Sequence, residues 1–313
     1  FILIFLFILI LLSLVVFFFF HEAKIGKQKN FLFSKETSIL LNNWFMMYFL
    51  SVVLIGTVYP IFLEVIQNEK ISVGPPFFNE LIIPLLIPFL FLMSFGPSFK
   101  WVKHSFKLVN IKLILLFILS TFISFLILIN TELNSLFVSV LIIFSIYLTF
   151  TTIKDFLIKN QINFSQKLSH FGFSLLILSI LFNSIFSSEL ITNMKVGEKY
   201  VNKNIIIDFQ KINNFKKENY VSIVATFKIT EDNKKEIYLN PELRIFNQPV
   251  TITSEADIKT NFFSDKFLVM NLVKGNDYYN IRYQKKPFMI WIWLSTIILF
   301  LGGLVSFVNK RNK

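Results

Sequence analysis

The 313-residue sequence contains no cysteine. That excludes disulfide support, haem–thiolate ligation and thiol exchange by groups of this chain. Charge is also scarce: 16% of residues are Asp, Glu, Lys or Arg, against about 25% in an ordinary soluble domain. Histidine occurs 3 times and glycine 9 times. No glycine-rich phosphate loop, no Cys/His metal spacing and no Ser-His-Asp order stands out, and no internal repeat is visible. The first residue is Phe1, and the stretch after it has neither a basic start nor a small-residue cleavage site, so it does not read as a signal peptide. The expectation is that the chain is the C-terminal portion of something longer.

What the sequence does contain is apolar surface. Hydrophobic residues make up 54%, phenylalanine alone occurs 41 times, and mean hydropathy is +0.64. A bilayer core of about 30 Å takes roughly 20 apolar residues per helix. Seven stretches meet that length, at about 1–20, 43–62, 81–98, 111–130, 134–153, 169–187 and 288–308. The third carries Pro84, Pro88 and Pro97 and is expected to bend.

Lysine placement gives a direction of insertion, because short cytoplasmic loops collect Lys and Arg. Lys24, Lys27, Lys29 and Lys35 share one loop; Lys100, Lys103 and Lys107 the next on that side; Lys154, Lys159 and Lys167 the third; Lys310, Arg311 and Lys313 end the chain. The alternate loops are poor in base, with Glu64, Glu69 and Glu80 set against a single lysine. The tail is therefore expected in the cytoplasm and the N-terminal end outside. The net charge of +12 reads as a topology signal, not as a nucleic-acid surface.

One region breaks the pattern. Between 191 and 286 apolar and polar residues alternate, as in "YVSIVATFKIT", with Asp-Asn and Lys-Gly-Asn interruptions. This predicts a small, mainly β extramembrane domain between the last two helices of a polytopic α-helical membrane protein, folding without haem or metal. Its 14 Lys and 2 Arg do not oppose an outward position, since long loops cross regardless of charge.

The three histidines lie far apart. His21 follows "VVFFFF" beside Glu22, and His104 sits in the basic "KWVKHSFK"; both read as interfacial polar residues. His170 stands just inside an apolar run, with Gly172 two residues on and Ser174 one turn on, a face that a flat ligand can approach. A structural histidine at the interface is the alternative, and the residues alone leave both open.

Several stretches, in order, resemble the C-terminal half of the CcmF family, the haem lyase component of system I cytochrome c maturation. These are the Leu-Asn-Asn helix at 41–43, Gly56-Thr57-Val58-Tyr59-Pro60, Ser72-Val73-Gly74-Pro75-Pro76-Phe77-Phe78-Asn79, "LSHFGFSLL" at 168–176, Pro241-Glu242-Leu243-Arg244, Ser254-Glu255-Ala256, and "IRYQKKPFMIWIW" followed by Gly302-Gly303. The resemblance runs from Ser34 onward. It implies a protein that takes haem from a haem chaperone and helps attach it to apocytochrome c on the outer side of the membrane, alongside other maturation subunits. It also implies a membrane b-type haem that relays electrons, with His170 as an axial ligand of its iron and in no acid, base or nucleophile role. The loop around Gly74, Pro75, Phe77 and Asn79 is expected as a stiff outer turn, either a plain re-entry into the third span or part of the lining of the haem or partner site. The location implied is the bacterial inner membrane with 191–286 periplasmic, or the mitochondrial inner membrane for an organellar source.

The family's Trp-rich outer segment and its two outer histidines are not in this sequence, whose tryptophans are Trp44, Trp101, Trp291 and Trp293. The chain by itself is therefore not expected to perform the reaction, and a second haem ligand is expected from a missing N-terminal half. Two readings from other classes stand beside this one. A transporter component would show intramembrane charges or repeats, which are nearly absent; a structural scaffold would make His170 incidental.

Overall fold

The computed structural model describes residues 2–20, 34–68, 70–101, 111–129, 131, 135–157, 162–202, 205–231, 235–273, 275 and 277–311. Helices α1 (Ile2–Phe20), α2 (Lys35–Gln67), α3 (Pro75–Phe95), α4 (Ile111–Ile129), α5 (Leu136–Leu157) and α6 (Phe164–Phe186) precede a run of strands, and α7 (Met289–Arg311) follows it. Among the described residues six helices, α2 to α7, are long and apolar enough to cross a membrane. Every described side chain of α1 is exposed.

Helix ends follow local chemistry more than hydropathy. The second helix is 33 residues long because Ser34 caps it, its Oγ accepting from the Thr37 amide at 3.2 Å, so the polar residues before position 43 are helical too. The segment "GPPFFN" is not a loop. Gly74 is the N-cap and Pro75 the first residue of α3, since proline's fixed φ and missing amide suit a first turn. The helix continues through Pro84 and Pro88, and Pro97 lies in the 3-10 turn Gly96–Ser98 that ends it.

The bundle is assembled by close approach. A Cβ on Gly172 would stand 2.9 Å from the Leu299 amide nitrogen, and one on Gly302 would stand 2.9 Å from the amide nitrogen of Ser169, so α6 and α7 pack backbone to backbone. Buried Ser and Thr hydroxyls donate to carbonyls one turn back, as Thr149 does to Ser145 at 2.9 Å and Ser124 to Ser120 at 2.7 Å. Thr152 and Ser174 also join α5 to α6, oxygen to oxygen at 3.3 Å. The apolar centre is Phe45, Phe89, Leu90, Leu141, Leu148 and Leu181.

Between α6 and α7 lie ten strands: β1 (Ser188–Met194), β2 (Lys199–Asn202), β3 (Ile205–Lys216), β4 (Tyr220–Glu231), β5 (Lys235–Leu239), β6 (Glu242–Asn247), β7 (Val250–Glu255), β8 (Asp257–Thr260), β9 (Ser264–Leu272) and β10 (Tyr279–Pro287). They form two antiparallel sheets, in the orders β1-β10-β9-β8 and β2-β3-β4-β6-β7, with β5 also paired to β4. Alternation places Ala225, Phe227 and Ile229 of β4 inside, facing Leu268, Met270 and Ile281 of the other sheet. Phe209 stacks on Phe227 with ring centroids 4.2 Å apart.

A polar cluster is set into this interior. Glu231, at the end of β4, receives hydrogen bonds from Lys266 Nζ and Tyr283 Oη, each at 2.6 Å, and Lys285 Nζ lies 3.6 Å away. Burial alone raises the carboxyl's pKa, but the bonds from Lys266 and Tyr283 outweigh it and hold the group below the usual carboxylate range. Burial, then the bond to Glu231, pushes the Tyr283 hydroxyl up. The cluster pins the two sheets together.

Candidate functional site

Each neighbour of His170 is committed to packing. Ser169 lies against Gly302 and Gly172 against Leu299. Phe171 meets the Phe156 ring at 5.8 Å, and Phe173 meets Phe89 at 5.8 Å. Those contacts set the rotation of α6, and the half-buried His170 is left facing a cavity of ≈ 380 Å³. The cavity is closed by three segments far apart in sequence: the start of α2, the end of α3 with the residues after it, and the start of α6. It lies at the end of the bundle away from the β domain, about 24 Å along α6 from that helix's last residue at 1.5 Å per residue.

The lining has two characters. Ile39, Leu92, Met93 and Pro97 give an apolar wall. Lys35, Ser38, Asn42, Asn163 and Gln166 give a polar rim, which the amide of Lys35 helps to close by bonding the Lys100 carbonyl at 2.9 Å. The Lys35 ammonium stands 5.0 Å from the centre of the Trp101 ring. Among the described residues it has no carboxylate within ion-pair distance, and His170 makes no hydrogen bond. Among the described residues, an imidazole without a hydrogen bond, an apolar wall and a cation without an ion pair are the groups that an amphiphile carrying a metal and a carboxylate takes. The donor set is of the kind haem takes: an imidazole that would hold the iron and an ammonium that would meet an acidic edge. No cluster of three or more His, Cys, Asp or Glu able to hold a bare metal ion exists among the described residues.

The other residues named from sequence are elsewhere. His21 and His104 lie outside the described residues. Gly74, Pro75, Phe77 and Asn79 sit at the far end of α3, about 20–27 Å from Leu92 of the cavity at 1.5 Å per residue. There the structure corrects the expected outer loop. Phe77 and Phe78 fold back onto α2, where a Cβ on Gly56 would stand 3.0 and 2.7 Å from their rings. Lys35, Asn42, Gln166 and Trp101 were not read as site residues because only the fold brings them to His170; Asn42 stood out solely as part of the Leu-Asn-Asn motif.

Fold and site together define a polytopic membrane protein with a β-sandwich between α6 and α7 and a cavity, lined in part by His170, at one end of its bundle. Comparison with known proteins makes this particular. Residues 185–287 match the family model "CcmF C-terminal beta-sandwich". The cytochrome c-type biogenesis protein CcmF of Escherichia coli is 27% identical over 299 residues, covering 93% of this chain and 46% of that protein. The CcmF of Haemophilus influenzae is 26% identical over 294 residues, covering 89% and 45%. A solved structure titled "Cytochrome c Heme Lyase CcmF" superposes with a TM-score of 0.67 at 21% identity, covering 88% of this chain and 46% of that one, a likeness of fold. The chain is thus related to the C-terminal half of CcmF proteins, and it spans less than half the length of the relatives it matches.

Proposed function

We propose that this chain supplies the C-terminal part of a haem lyase for cytochrome c maturation, working with a polypeptide that carries the rest. The complete assembly takes haem from a haem chaperone and attaches it to apocytochrome c on the side of the membrane that bears the β-sandwich. One observation carries the reading: the imidazole of His170, without a hydrogen bond, in a cavity of ≈ 380 Å³ lined by apolar side chains and Lys35, within a chain related to CcmF. A b-type haem bound there would supply a one-electron couple within the membrane.

The residues of this chain then have separate tasks. His170, as neutral imidazole, offers a nitrogen to the iron. Lys35 offers a cation to a propionate and lies beside Trp101, which restrains it. Ile39, Leu92 and Met93 exclude water from the ring face. A further ligand to the iron would come from the partner polypeptide. Lysine placement supports an orientation with the cavity toward the cytoplasm or matrix and the sandwich toward the periplasm or intermembrane space.

The test is co-expression with that partner. The complex should show a reduced b-type haem absorption and should support cytochrome c maturation, and His170→Ala should remove both at unchanged expression. A scaffold role predicts maturation without any effect of His170→Ala. A transporter role predicts neither haem nor maturation.

A further inference from the structure

The β-sandwich does not hang free at its membrane end. Its last strand leaves through Pro287 and Phe288, and both are tied to the last turns of α6. Asn183 Nδ2 donates to the Pro287 carbonyl at 2.6 Å, and the Phe288 ring lies 5.4 Å from that of Phe182. Phe182 and Asn183 stand three to four residues before the helix end, so this junction sits about 5 Å below the end of α6 at 1.5 Å per residue.

The turn between β8 and β9, residues 261–263, is held to the same level. The Phe288 amide donates to the Phe263 carbonyl at 2.8 Å, and the Trp291 indole N–H donates to the Phe262 carbonyl at 3.1 Å. The Phe262 ring meets Trp291 edge to face at 5.0 Å and Phe263 at 5.0 Å. Trp291 belongs to the first turn of the α7 span, the depth at which bilayer-spanning helices carry tryptophan. Yet Phe262 and Phe263 remain 56% and 65% exposed, and the turn Asn-Phe-Phe bears no charge. Of the domain's other phenylalanines, Phe209 and Phe227 are fully buried and Phe215 is 49% exposed.

We infer that the turn 261–263 is a membrane anchor, its two phenylalanines inserted among the lipid headgroups and upper acyl chains beside Trp291. Lipid is the occupant because the turn is bonded to a membrane span below the level at which α6 ends. The anchor gives the sandwich an attachment besides its two chain connections, restricting its tilt over the bundle. It is independent of the haem reading.

The cysteine-free background makes the test direct. The full chain, carrying Phe263→Cys, is labelled with an environment-sensitive fluorophore in phosphatidylcholine vesicles. Quenching by spin-labelled phosphatidylcholine is compared with quenching by aqueous iodide. Val250→Cys is the reference, because the strand register from β4 through β6 places Val250 at the opposite end of the sheets. Asn261→Cys repeats the reading with both phenylalanines kept. Labels at 263 and 261 should be quenched several-fold more by the lipid-borne nitroxide than by iodide, and the label at 250 should show the reverse. Iodide quenching at 263 and 261 equal to that at 250 would overturn the anchor. Shielding from both quenchers would overturn it too, because a protein surface would then cover the turn.

Discussion

The two regions of this molecule are held together by different means. The sandwich has a closed interior: Ile207, Phe209, Phe227, Ile229, Leu243, Leu268 and Met270 have no exposed surface. The bundle hides Ser120, Ser124, Ser145, Thr151, Ser174 and Ser295 while most side chains of α2 and α4 stay open. Water drives the first arrangement, since each buried apolar side chain contributes about 1.5–3 kcal/mol. Lipid is as apolar as leucine, so the second relies on close backbone approach and on satisfying every polar group internally. Substitutions of comparable size should therefore act very differently in the two halves.

The largest effect is expected in the sandwich core. Phe227→Ala removes a ring stacked on Phe209 and leaves a cavity, at a cost of about 3–5 kcal/mol. Thermal melting of the isolated 185–290 segment, followed by strand-type circular dichroism, should show a much lower midpoint for the variant. An unchanged midpoint would mean that this interior is not what holds the domain.

Glu231→Gln comes next. It leaves Lys266 buried without its carboxylate partner, at a cost of about 3 kcal/mol near neutral pH. The native carboxyl is held below its ordinary value, so its stabilisation is complete above the normal glutamate range and is lost as pH falls through the lowered value. The gap between variant and native protein should accordingly narrow in acid. A gap that stays constant with pH would show that the buried charge is not its source.

In the bundle, Gly172→Leu should cost less in stability and more in function. Overpacking against Leu299 costs about 1–3 kcal/mol, and the bilayer still holds both helices across the membrane. Prising α6 from α7 rotates the turn that aims His170, however. Expression in the membrane should persist while haem retention in the complex drops. Normal haem retention would break the link between helix packing and ligand aim.

Legibility in the sequence divides along the same line. The six spans α2 to α7 were readable because a bilayer demands a length of apolar chain, and strands because burial on one face forces alternation, as in Tyr220–Glu231. Helix ends were not readable by hydropathy, since Ser34 extends α2 through polar residues and Gly74-Pro75 starts a helix where a turn was expected. His170 was visible as an ionisable group at the edge of an apolar run. Its cavity was not, because Lys35, Met93 and Trp101 reach it from segments separated by up to 135 positions in the chain, from Lys35 to His170. Likewise Phe262 and Phe263 read as part of an alternating stretch, and only the bonds to Phe288 and Trp291 reveal their level at the membrane.

The central claim is that His170 ligates haem iron, and chemical rescue tests it most directly. His170→Gly in the complete complex opens a space where a free imidazole can take the place of the missing side chain. The account predicts loss of the reduced b-type haem spectrum in the variant and its return when imidazole is added, with no such rescue for a large-residue variant, His170→Leu. An unaltered spectrum in His170→Gly without imidazole would contradict the assignment.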